Sequence, residues 1–254
     1  SKTEKDLLNF CKNYFKNILE NSKNVIYPYE LDIYIPEINL AIEFNGIYWH
    51  TESVLKDRTH HYKKYKLCEE QGIRLIQIYE DEWKNKQDVI KKFLINIFSN
   101  KKNEKNKSDI RPINDSEADH FHTNNNILDY EKSLINIGLF DKNELISSIS
   151  FNMDKNREIN ILNFSNSNNT LEFNLEYLIK YIKEFYNPIK MNVKVDLRID
   201  SGKIYLNEKF YLKETLYPDF YLFDKKTRKR INKNQVRIIN SEKFEKNELG
   251  KWSD

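Results

Sequence analysis

Apolar residues recur at three- and four-residue spacing through 3–20, where Leu7, Leu8, Cys11, Tyr14, Phe15, Ile18 and Leu19 would share one helix face. Thr3 is placed to cap that helix, with Glu4 in its first turn and Asp6 at the capping-box position. The period then shortens. Residues 31–35 and 38–44 are apolar runs on either side of Pro36-Glu37, which predicts a β-hairpin. A second amphipathic helix is expected over 53–71, with Leu55, Tyr62, Tyr65 and Cys68 inward and Gly72 as its stop. The nearly continuous run from Ile73 to Tyr79 predicts a buried strand, and 87–98 a further helix.

Residues 100–109 contain no apolar side chain, so they are expected to be a linker between two domains. Beyond them the pattern predicts a helix at 115–124 and strands at 134–140, 144–151 and 158–164. A long helix over 171–186 should end at Pro188, followed by strand 191–197, a helix at 201–208, and strands at 209–213 and 219–223. The polar residues 233–254 are expected to form a tail. The reading is α/β, with two mixed-sheet domains at 1–99 and 110–232.

Charge changes this picture little. Forty-two basic residues against 39 acidic ones give a net charge of +3, so nucleic-acid binding must rest on local patches. Cys11 and Cys68 match no zinc or disulfide framework, and no stretch is apolar enough to span a membrane. A soluble cytoplasmic protein is expected, and a chain that starts at Ser1 is expected to be a processed or truncated product.

Two carboxylates interrupt the hairpin: Asp32 in its first run and Glu43 in its second. A charge in a strand that wants burial is costly unless something pairs with it. Two acids on neighbouring strands meet that need by sharing Mg²⁺ or Mn²⁺, whose preference for oxygen suits phosphodiester hydrolysis. His50, His60 and His61 stand close enough in sequence for one of them to serve as general base or acid, with Glu4 further out.

Asp32, ten intervening residues and Glu43-Phe44-Asn45 resemble the PD-(D/E)XK nuclease core, with Asn45 at the lysine position. The stretches Glu30–Pro36, Ile42–His50 and Gly72–Trp83 resemble phage-encoded homing endonucleases of the very-short-patch-repair (Vsr-like) type. The resemblance covers nearly all of 3–98. It implies that Asp32 and Glu43 bind metal, that His50 and His61 act near the scissile phosphate, and that Glu4 orients His50 or a metal water. Gln77 would project toward the same site.

The second half resembles, in outline, an acetyltransferase-like (GNAT-like) domain found behind some phage nucleases. The stretches that carry this are Phe121–Asn126, Leu134–Phe140, Asp196–Arg198 and Tyr217–Tyr221. Its loop at Phe164–Asn169 lacks the glycines that cradle a pyrophosphate, so the domain is expected to be degenerate and to hold DNA instead. Lys225, Lys226, Arg228, Lys229 and Arg230, near Tyr217, Phe220 and Tyr221, are expected to contact phosphates and bases, as is Asn45. Together these imply a metal-dependent endonuclease acting on double-stranded DNA as a monomer or homodimer. A mismatch- or damage-directed nickase and a catalytically inactive DNA-binding protein are the alternatives.

Overall fold

A computed structural model describes residues 2–46, 60–99, 109–167 and 171–216, and the strands at 221–224, 229–232 and 249–251. For 171–173 and the three late strands only the backbone is described, Arg230 excepted. The fold is mixed α/β, with two mixed sheets that belong to different compact units.

The first unit takes in residues 1–85 and the chain from 213 onward. Helix α1 (Lys2–Lys12) is followed by strands β1 (Leu19–Ile26), β2 (Tyr29–Ile35) and β3 (Leu40–Asn45), helix α2 (His60–Glu70), strand β4 (Arg74–Tyr79) and helix α3 (Glu80–Asn85). The sheet runs β1-β2-β3-β4, antiparallel except for the parallel pair β3–β4. Asn39, in the left-handed region at φ 48°, closes the turn between β2 and β3 by donating its N–H to the Pro36 carbonyl. Every residue of β3 is buried. Gly72, at φ +68°, lets the chain leave α2 and enter β4 within three residues.

The expected helix at 3–20 is shorter than its periodicity suggested. It stops at Lys12, and Leu19, counted as inward-facing, stands exposed on β1. Thr3 lies inside the helix rather than before it. Strand β1 reads Leu-Glu-Asn-Ser-Lys-Asn-Val-Ile at a sheet edge and is mostly exposed, so no apolar alternation announces it.

The second unit is residues 86–212. It comprises α4 (Gln87–Ser99), β5 (Asp109–Pro112), α5 (Asp115–Asn125), β6 (Ile135–Asp141), β7 (Glu144–Met153), β8 (Glu158–Asn166), α6 (Leu171–Tyr186), β9 (Lys190–Val193) and α7 (Lys203–Asn207). Its sheet runs β5-β6-β7-β8-β9, with only β8–β9 parallel. Asn114 and Glu117 form a reciprocal capping box at the start of α5. One sheet face carries Ile137, Leu139, Ile149, Phe151, Ile159 and Ile161 against Leu175, Leu178, Ile179 and Ile182 of α6. The strand expected at 209–213 does not form.

Helix α4 was expected to close the first domain, yet it belongs to the second unit. Lys92 bonds to Asn125, and just before the helix Lys86 bonds to the Ile127 carbonyl and to Asp129. Conversely, the chain beyond 213 returns to the first unit. There β10 (Tyr221–Asp224) pairs antiparallel with β11 (Lys229–Asn232) and β12 (Leu249–Lys251). The tail expected at 233–254 therefore contributes a strand. Of the expected linker, Asp109 opens β5, and 100–108 lie outside the described residues.

Candidate metal and catalytic site

The ladder between β2 and β3 runs through Ile35–Leu40, Tyr34–Ala41 and Ile33–Ile42. At the next step carboxylates replace it. The Phe44 N–H donates to Asp32 Oδ2 at 2.8 Å, and the Asp32 N–H donates to Glu43 Oε1 at 3.1 Å. Each acid thus accepts a main-chain N–H from the opposite strand, a reciprocal clasp that holds the two carboxylates together. Parallel pairing sets Gln77 of β4 beside Glu43. Asn45, two residues along the same face, donates Nδ2 to Gln77 Oε1 at 3.1 Å.

Helix α2 turns His61, Lys64 and Cys68 inward, three and four residues apart on one stripe. Lys64 donates its Nζ to Glu43 Oε2. Both partners are buried, Glu43 at 4 % exposure and Lys64 at 6 %. His61 is buried one turn earlier, its ring edge-on to His60 at 5.6 Å, and His60 in turn packs against Tyr29.

Burial dominates the electrostatics. It pushes the Glu43 carboxyl up to about 7, helped by the charge of Asp32 and opposed by Lys64. Asp32 is raised for the same first reason, with the Phe44 N–H and Lys64 opposing and the charges of Glu4 and Glu30 adding. The charge of Glu4, on α1, is thus felt at Asp32.

The donor set suits a hard divalent cation. Among the described residues no three His, Cys, Asp or Glu converge on a metal-sized position. The protein's share would be Asp32 and Glu43, and Mg²⁺ commonly takes one or two carboxylates and keeps its waters.

Lys64 is the residue that sequence reasoning missed. Its signal was the inward stripe His61-x-x-Lys64-x-x-x-Cys68, on the helix next to a strand whose expected lysine had been replaced by Asn45. Asn45 itself is buried and bonded to Gln77, which corrects its assignment as a DNA contact. Expected site residues His50, Lys225, Lys226 and Arg228 lie outside the described residues, and Lys229 is described only as backbone in β11.

Arg230 requires a second correction. Its side chain is 8 % exposed. Nε lies 3.0 and 3.1 Å from the two Asp81 oxygens, Nη2 lies 2.8 Å from Glu82, and the guanidinium stacks 3.6 Å above the Tyr79 ring. A guanidinium so engaged is an internal clasp of the first unit, and it is not offered to a phosphate.

In the second unit His122 is buried. Its Nδ1 bonds to Ser165 Oγ, and burial followed by the charge of Lys86 lowers it to about 4. The ring stays neutral at physiological pH. Ser165 and Asn166, read as part of a cofactor loop, belong to β8, and 168–170 lie outside the described residues. Comparison of the chain with family models, curated proteins and solved structures finds no match.

Proposed function

We propose that the chain is a Mg²⁺- or Mn²⁺-dependent DNA endonuclease of homing type. In this reading a Vsr-like, PD-(D/E)XK nuclease unit is joined to a degenerate acetyltransferase-like unit that holds duplex DNA. The observation that carries the reading is the convergence of Asp32, Glu43 and Lys64, two clasped acids and a buried lysine brought together from three elements.

When bound, a divalent cation supplies charge neutralisation at the scissile phosphate. Asp32 and Glu43 would hold it, each carboxylate fixed in place by a main-chain N–H of the opposite strand. Lys64 carries the positive charge that PD-(D/E)XK nucleases place at the position of Asn45, and Gln77 with Asn45 braces the floor beside Glu43. Taking the proton from the attacking water, or giving one to the leaving oxygen, falls to His50 or His61, and Glu4 acts through its charge on Asp32. No helix among the described residues is long and apolar enough to cross a membrane.

Incubating the purified chain with phage genomic DNA and Mg²⁺ is the test. Cleavage should occur and should vanish in Asp32→Ala, while duplex binding persists. Full cleavage by Asp32→Ala would overturn the site.

A further inference from the structure

We propose that the second unit binds duplex DNA through the open, asparagine-lined face at the β8–β9 edge of its sheet. The choice of DNA as partner rests on the nuclease reading; the surface itself does not.

Side chains alternate across a strand, so the residues between core positions share the opposite face. In β7, β8 and β9 these are Asn152, Asn160 and Asn192, set between Phe151 and Met153, Ile159 and Ile161, and Met191 and Val193. The register aligns them in one row, Asn152 opposite Asn160 and Asn160 opposite Asn192. Adjacent amides in such a row stand about 5 Å apart.

The polar character of this face continues under α5, where Asn136, Ser148, Ser150, Asn163 and Ser165 are all buried. There the amides and hydroxyls are consumed internally; Ser165, for example, bonds to His122. Toward the β9 edge Asn160 is exposed, and Asn152 and Asn192 are half-buried. Asn192 donates to Asn160 Oδ1 at 3.3 Å, and Asn152 accepts the Leu134 N–H at 2.8 Å, which fixes the two flanks of the row.

Charge points to the occupant. Exposed Lys155 and Arg157 lie in the turn between β7 and β8, Lys190 opens β9, and Lys194 follows its last residue. The acids that neighbour them in sequence are Asp154 and Glu158. Asp154 is spent on the turn, accepting the N–H groups of Asn156 and Glu158, and Glu158 pairs with Lys190 at 3.5 Å. A row of amides rimmed by cations matches base edges flanked by phosphates. Because β9 ends the sheet, the row runs out to an edge, where it can be approached from the side as well as from above.

The test is binding of the full chain to a fluorescent duplex in EDTA, across a salt series, so that cleavage plays no part. The double variant Lys155→Glu/Arg157→Glu should bind more weakly and lower the slope of log affinity against log salt by about two. Asn160→Ala should weaken binding and leave the slope unchanged. Unaltered affinity and slope in variants that keep the wild-type circular dichroism would overturn the proposal, including the case in which the face receives a protein. The two readings fail separately. A chain that binds through this face but cuts no DNA sinks only the nuclease, and a chain that cuts while both variants bind as wild type sinks only the surface.

Discussion

Lys64 of α2 is seated on Glu43 of β3, and both side chains are almost wholly withdrawn from water. Burying an ion pair is costly, and the attraction between its members offsets the cost only while both remain. The pair also joins the helix to the strand at the point where the β2–β3 ladder gives way to side chains. One contact therefore serves both the fold and the candidate chemistry.

Removing one partner should separate these two roles. At a pH where Glu43 is ionised, Lys64→Met is expected to destabilise the first unit by about 3–5 kcal/mol, because it strands a buried carboxylate, while Lys64→Met/Glu43→Leu should recover most of that loss. Urea unfolding measures it. If the single variant lost under about 1 kcal/mol, the buried pair would not exist as described. Lys64→Arg keeps the charge, so it should stay folded yet cleave DNA at least about 100-fold more slowly, because a planar fork cannot replace a point ammonium.

The two units should respond to acid in opposite senses. Glu43 ionises at about 7 in the folded chain against 4.5 ordinarily, so its folded form holds the proton more tightly. The stability this adds is complete below 4.5 and is lost as pH rises toward 7; Asp32 acts in the same sense, starting from 3.8. His122 is the reverse case. Its folded value of about 4 lies below 6.5, so its contribution is complete above 6.5 and is lost as pH falls toward 4. Between about pH 7 and pH 5, calorimetry should show the first unit gaining and the second losing. Glu43→Gln should weaken the first trend, leaving the part due to Asp32, and His122→Phe should abolish the second. Parallel shifts of both units would contradict these assignments.

The sequence disclosed the acids more readily than the lysine for a physical reason. Asp32 and Glu43 stand out because each interrupts an apolar strand, where a charge needs an explanation. Lys64 lies among Lys63 and Lys66 on a helix of weak amphipathicity, and only tertiary packing turns one of the three inward. Strand β1 was illegible because an edge strand can remain polar on both faces. The apolar stripe of α4 announced a helix but could not name the sheet it would cover. Likewise Arg230 reads as one more cation in a basic run, and only the fold places it between Asp81 and Glu82.

That placement yields a prediction at odds with a DNA-contact role. Tyr79, Asp81 and Glu82 lie where β4 passes into α3, and Arg230 from β11 bonds to both acids while covering the ring. The main-chain N–H of Arg230 adds a further bond to Asp81 Oδ2 at 3.2 Å. Arg230→Ala leaves two carboxylates together in a nearly dry pocket, and a loss of about 3–5 kcal/mol is expected. Limited proteolysis should then release the segment after 213 well before the rest of the first unit is cut. Asp81→Asn/Glu82→Gln, which removes the anions but keeps hydrogen-bond acceptors, should release the same segment with a smaller loss of stability. In the fraction that stays folded, duplex affinity and its salt slope should match wild type, because this guanidinium neutralises no phosphate. A slope lowered by about one, with stability intact, would restore Arg230 to the DNA surface.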